Sequence, residues 1–195
     1  MISSEVLLEF GAETVSLDKN TIIFNEGESP RYFFCLLSGS VKMFNLTEDG
    51  KEFIQGIFEA GQSFGEPPIL GGFKYPASAI TLKKSELIRL KKDSFIELLK
   101  ARYDVHLAFT TALSNRLYYK SMIMREVSVH SAAHRILTLL NYLKKEHGGK
   151  EPYTVNLSRQ QIAELTGLRA ETVIRTLKKM EEHKEVTIID RKIVI

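Results

Sequence analysis

The sequence predicts an α+β protein: a strand-rich N-terminal half, a long helix, and a C-terminal helix-turn-helix followed by a β-wing. Three observations carry this expectation. Between Val15 and about Leu90, short aromatic and aliphatic runs are cut by SG, EDG and EAG breaks, the punctuation of strands and turns. From Asp104 to Val127 there is no Gly or Pro, and apolar residues recur at steps of three or four, the helical period. From Ser158 to Lys179 the chain reads SRQQIAELTGLRAETVIRTLKK, two short amphipathic helices joined at Thr166-Gly167.

The elements follow in order. TIIFNEGESP gives a short strand and a Gly/Ser/Pro turn, and Asp49-Gly50 between KMFNL and FIQGIF signals a hairpin. Many short strands at this spacing argue for a barrel, roll or sandwich. Cys35, inside YFFCLL, reads as a buried core residue. A short amphipathic helix is expected over Ser94 to Arg102. The long helix of Asp104–Val127 puts Phe109, Leu113, Leu117, Met124 and Val127 on one stripe, with Ser121 its only polar member. Its 24 residues would span ~36 Å, more than a small domain needs; such a helix buries its stripe against a twin or packs back on its own roll, and the helix-turn-helix that follows favours the twin. His130 to His147 forms a further helix that Gly148-Gly149 ends. After the paired helices, VTIIDRKIVI supplies two strands around Asp190-Arg191-Lys192, a wing with basic residues at its tip. The expected domains are 1–127, a roll-like domain with the long helix, and 128–195, the winged helix-turn-helix.

The paired helices carry the chemistry. Ser158 followed by Gln161 fits a capping box. Ile162, Ala163 and Leu165 make one apolar face, with Ala163 small where the second helix crosses. Gly167 fits a turn that needs a left-handed backbone or a missing Cβ, and Leu168, Val173 and Leu177 resume the apolar pattern. Glu171 and Arg175, at i and i+4, leave the same side of the second helix. Arg makes bidentate bonds to guanine O6 and N7, and Glu accepts from cytosine N4. The chain therefore reads as a DNA-binding regulator.

Composition narrows the alternatives. Residues 1–100 carry 11 Lys and Arg against 14 Asp and Glu, net −3, while residues 101–195 carry 16 against 10, net +6; the basic half suits a polyanion. No apolar run approaches the ~18 residues that span a bilayer, and the acidic start MISSEVLLEFGAE is unlike a signal peptide, so a cytoplasmic protein without membrane association is expected. A cupin-like enzyme needs inward His ligands, yet all five histidines lie beyond residue 100. His130 and His134 stand at metal-ligand spacing without a third ligand nearby, so no metal, cofactor or catalytic residue is expected. The competing reading is a ligand-binding module that regulates a partner protein through protein contacts. The basic C-terminal half and the wing disfavour it.

The order of strand-rich half, long helix and winged helix-turn-helix, with the string QQIAELTGL followed by ETVIR and the segment FGE before YPASAITLKKSELIRL, resembles the cyclic-AMP receptor protein and fumarate–nitrate regulator (Crp–Fnr) family. The likeness covers nearly the whole chain. It implies a cyclic-nucleotide-binding-like double-stranded β-roll and a homodimeric transcription regulator that binds two-fold symmetric double-stranded DNA. It also implies contact with RNA polymerase and a small-molecule effector sensed in the roll. Carried over by resemblance, Glu171 and Arg175 match base-reading positions, and Arg159, Gln160 and Thr172 match phosphate-touching ones. Arg169 stands where a small capping residue is usual, offering an added DNA contact, while Ala170 and Ile174 also depart from the pattern. The resemblance places the effector pocket at Gly65, Glu66, Tyr75, Pro76 and Ala77. Gly65-Glu66 keeps the pair that meets a ribose, but Tyr75-Pro76 stands where an Arg-Ser pair would hold a cyclic phosphate. Tyr75 brings no positive charge and Pro76 neither hydroxyl nor N–H. The expected effector is therefore not cyclic AMP. One cysteine and a roll without histidine also exclude a four-cysteine iron–sulfur cluster and haem.

Overall fold

The structure, a computed structural model, describes residues 2–48, 50, 52–149 and 152–195, with the side chains of 123 and 125–129 set aside. Asp49 of the expected hairpin and the Val127 side chain of the expected stripe lie outside the described residues. The chain divides into two compact units, Met1–Ser114 and Asn115–Ile195. The division falls inside the long helix, earlier than the 127/128 boundary read from sequence. Val105 and Phe109 are buried in the first unit, whereas Tyr119 packs on the core of the second.

The first unit runs α1 (Ser4–Glu9), β1 (Glu13–Leu17), β2 (Ile22–Phe24), β3 (Tyr32–Ser38), β4 (Ser40–Leu46), β5 (Glu52–Glu59), β6 (Ser63–Phe64), α2 (Pro67–Gly71), β7 (Ser78–Thr81), β8 (Ser85–Lys91) and α3 (Lys92–Ala101), and then enters α4 (Tyr103–Val129). The strands form two four-stranded sheets, β1-β8-β3-β6 and β2-β7-β4-β5, antiparallel throughout. Apart from the β4–β5 hairpin, successive strands trade between the sheets, which makes a roll.

Side-chain alternation along β3 explains why YFFCLL is apolar without a break. Phe34 and Leu36 join Phe24, Val41, Phe64 and Leu87 in a cluster drawn from both sheets. Phe33 and Cys35 point the other way, into a cluster with Leu7, Phe95, Leu98 and Phe109 from α1, α3 and α4. There Phe33 stacks on Phe95 at 4.2 Å, with Phe109 edge-on to both. The β3–β4 turn needs Gly39: its φ is +99°, and a Cβ there would lie 2.6 Å from Ser85 Cα.

The second unit takes the rest of α4, then α5 (Ala132–Glu146), β9 (Thr154–Val155), α6 (Arg159–Thr166), α7 (Ala170–Glu182), β10 (Thr187–Ile189) and β11 (Lys192–Val194). Ser131 caps α5 by accepting from the His134 N–H. Ile136, Leu139 and Leu140 face the core, at the spacing of one helix face. Tyr119 of α4 stacks on Tyr142 of α5 at 3.6 Å. The wing is a three-stranded sheet, β10-β11-β9, because Thr154 and Val155 pair with Val194 and Ile193.

The α4 stripe divides. Phe109 is 5% exposed and Leu113 packs beside it against the roll's own core. Leu117 and Met124 are 67% and 70% exposed. The first half of the expected stripe is therefore intramolecular.

Candidate nucleic-acid interface and effector pocket

The helix-turn-helix is built by local chemistry. The Ser158 hydroxyl accepts from the Gln161 N–H at 3.1 Å, and the Gln161 side-chain carbonyl accepts from the Ser158 N–H at 2.8 Å. This reciprocal capping box fixes the start of α6. At its end, Thr166 donates its hydroxyl to the Ile162 carbonyl at 2.6 Å. Gly167 then turns left-handed, φ 65° and ψ 31°. A Cβ there would meet nothing within 4 Å, so glycine is needed for its backbone conformation rather than for space.

α7 is the second of the expected paired helices and runs past the motif's Lys179 to Glu182. It buries Val173, Leu177 and Met180, and Ala163 of α6 is 1% exposed beneath it. Glu171, Ile174, Arg175 and Lys178 lie on the opposite, exposed side, at the i, i+3, i+4, i+7 spacing of a single face. Lys178 was missed from sequence, although its seven-residue step from Glu171 would have found it. Thr172 is half-buried, turned between these two faces. Arg169 is the N-cap of α7, extended at φ −85° and ψ 146°, with no side-chain cap among the described residues.

The wing reaches back to α6. Its tip is a two-residue turn with both residues left-handed, Asp190 at φ 47° and Arg191 at φ 65°, the conformation whose twist suits a hairpin. Arg159, at the first position of α6, donates from Nη2 to the Arg191 carbonyl at 3.3 Å. Burial pulls the Arg159 pKa below its ordinary value while the charge of Glu181 pulls it up. Glu181 in turn accepts from the Ile188 N–H, tying α7 to β10. Gln160 is exposed and donates to Glu164 at 2.6 Å along α6.

The pocket residues are drawn into the roll unevenly. Glu66 is 1% exposed and precedes α2, whose first two positions are Pro67 and Pro68. Those positions have no intrahelical N–H partner to lose. Tyr75 is 3% exposed and stacks on Phe24 at 3.7 Å with the rings 7° from parallel. Gly65, at φ +75°, lies under this stack; a Cβ would sit 3.0 Å from the Phe24 ring and 3.3 Å from Tyr75. Ala77 is fully buried, whereas Pro76 is exposed with its carbonyl accepting from Asn45. Tyr75 thus packs inside the roll, in the cluster with Phe24, Phe34 and Phe64. Burial raises its pKa, with Glu28 and then Glu66 adding to the shift, so the phenol stays neutral. His130 and His134 stack at 4.4 Å. Among the described residues no group of three or more metal-ligating side chains occurs, and no helix is long and apolar enough to cross a membrane.

Comparison with known proteins gives two family matches. Residues 14–102 match the cyclic nucleotide-binding domain and residues 133–195 match the Crp-like helix-turn-helix domain. The chain is 28% identical over 181 residues to the cAMP-activated global transcriptional regulator CRP of Haemophilus influenzae, covering 91% of this chain and 80% of that one. It is 26% identical over 188 residues to the global nitrogen regulator of Synechocystis, covering 92% and 83%. Among solved structures, the c-di-GMP responsive global regulator CLP of Xanthomonas campestris superposes with a TM-score of 0.78 at 20% identity, over 99% of both chains.

Proposed function

Because the chain belongs to the Crp–Fnr family of DNA-binding transcription regulators, we propose that it acts as a homodimer on a two-fold symmetric operator and answers to an effector other than cyclic AMP. The observation that carries the reading is the outer face of α7. Glu171 and Arg175 stand exposed on a helix whose opposite side is locked by Val173, Leu177 and Met180, so both project from a rigid base. Each α7 enters a major groove, one DNA turn (~34 Å) from its twin. Arg175 reads guanine and Glu171 reads cytosine. Arg159, Gln160, Arg169, Thr172 and the wing tip hold the backbone.

Dimerisation rests on α4. Leu107, Thr110, Ser114, Leu117, Ser121 and Met124 are all exposed and follow alternating steps of three and four, the seam of a coiled coil. Ser114 and Ser121 are small enough for two helices to approach closely. RNA polymerase contact follows the family, the compartment is the cytoplasm, and the chain carries no catalytic role. Tyr75 argues against cyclic AMP: its buried ring occupies the sandwich where a guanidinium would have to meet a phosphate, and a phosphate without a counter-charge is costly to bury.

The test is selection of bound sequences from random duplex DNA by the protein without added ligand. An inverted repeat with a G·C pair in each half-site is expected. Arg175→Ala should cost about 1–3 kcal/mol and relax preference at that pair. Unchanged preference in this variant rejects the proposed readout.

A further inference from the structure

The two sheets part where β1 leaves to pair with β8 and β2 leaves to pair with β7. Between them opens a cavity of about 600 Å³, within the size range of small-molecule sites. Val15, Leu17 and Ile22 line it, together with the stacked Phe24 and Tyr75 and with Phe34. Glu28, Arg31 and Arg89 belong to the same lining.

These three groups are not equivalent. The Arg89 guanidinium is engaged twice, on Glu13 at 2.9 Å and over the Tyr32 ring at 4.9 Å. Glu28 accepts from Asn25 at 2.8 Å, which holds its carboxyl below the ordinary range and keeps it ionised. Arg31 makes no ion pair among the described residues, although Glu28 lies near enough to feel its charge. One uncommitted guanidinium in a cavity also lined by aromatic rings matches one negative charge on a flat apolar body. A dianionic phosphate would meet the charge of Glu28 at the same place.

We propose that this cavity binds a small amphipathic carboxylate, its ring system against Phe24 and Tyr75 and its carboxylate on Arg31. Arg and carboxylate pair through two parallel N–H···O bonds. The site also touches the family's effector segment. The Tyr75 N–H donates to the Glu28 carbonyl at 2.9 Å, and the Gly27 N–H donates to the Tyr75 carbonyl at 2.8 Å. A ligand bridging Arg31 and Tyr75 thus draws the 25–31 loop and the segment around Tyr75 together. The binding step rests on geometry alone. Its effect on DNA affinity rests on the regulator reading above.

Calorimetry of the full chain tests it, with 2-naphthoate as the probe and 2-naphthalenemethanol as its uncharged counterpart. The carboxylate binds and the alcohol binds about tenfold or more weakly. Arg31→Gln weakens 2-naphthoate about ten- to a hundredfold, Ile22→Trp blocks it by filling the wall, and Lys74→Gln leaves it unchanged. The proposal is overturned by absence of 2-naphthoate binding at millimolar concentration, by equal affinity for acid and alcohol, or by loss in Lys74→Gln with Arg31→Gln unaffected. DNA anisotropy with and without 2-naphthoate is read separately. Arg31-dependent binding with unchanged DNA affinity removes the coupling but keeps the site. A protein that binds 2-naphthoate and no DNA at all counts against the regulator reading instead.

Discussion

Replacing Arg169 by Ser should move stability and DNA affinity in opposite directions. Arg169 already has the extended backbone of an N-cap, φ −85° and ψ 146°, but its side chain caps nothing. Ser158 shows what a serine does in that setting: at φ −71° and ψ 161° it accepts from the third helical N–H. Supplying the missing acceptor to α7 is worth ~1 kcal/mol, which for a unit of this size raises the melting temperature by about 4–8 °C. The same change removes a cation from the start of the recognition helix. If Arg169 neutralises one phosphate, the slope of log affinity against log salt falls by ~0.9. Arg169→Ala should lose the same slope without the gain in stability, separating charge from capping. Thermal melts by circular dichroism and anisotropy of a labelled operator across a salt series measure both. A Ser variant with an unaltered salt slope rules out the phosphate contact, and one that melts with the Ala variant rules out the capping argument.

Arg191→Gly relieves a left-handed non-glycine residue and should stabilise the wing by about 1 kcal/mol, while its loss of charge again flattens the salt dependence; a salt slope equal to wild type would exclude the wing tip from the interface. Tyr75→Ala empties the site against Phe24 and should cost about 3–5 kcal/mol in urea denaturation, whereas Tyr75→Phe keeps the stack and should cost less than about 1 kcal/mol. Equal losses would mean that the hydroxyl, not the ring, matters. Burial, and then the charge of Glu66, push the Cys35 thiol pKa up, so a thiol reagent should label it only as fast as the roll opens, and rapid labelling of the native protein would contradict its burial. Because the folded thiol has the higher pKa, its contribution to stability is complete below the ordinary thiol value and is lost as pH rises through the folded one.

The helix-turn-helix was legible because its determinants are local. Ser158, Gln161 and Gly167 act within three or four residues of where they stand, and α7 lies where the pattern put it. The roll was legible only as a set of short strands, since which strand meets which depends on distant partners such as Glu13 and Arg89. α1 and α2 were missed: each is under two turns, too short for a period to declare itself. The α4 stripe misled in part, because periodicity reports that a face is apolar but not what covers it. Phe109 meets its own roll, whereas Leu117 and Met124 of the same stripe stay exposed, in line with Leu107. At the pocket, sequence gave the missing positive charge at position 75. It could not say that the ring turns inward onto Phe24, which depends on Gly65 leaving room beneath both.

The position of β8 governs the order in which this chain can fold during synthesis. It pairs with β1 on one side and with β3 on the other, joining the start of its sheet to the middle, as β7 does between β2 and β4 in the other sheet. Until Lys91 has left the ribosome, β1 has no partner strand and β3 has only β6, so the edges awaiting β8 stand open to other chains. In the second unit only β9 waits in this way, for β11. A nascent chain stalled just before Ser85 would therefore expose the edges awaiting β8, and a chaperone acting on it would need to hold the first strands only until the eighth arrives.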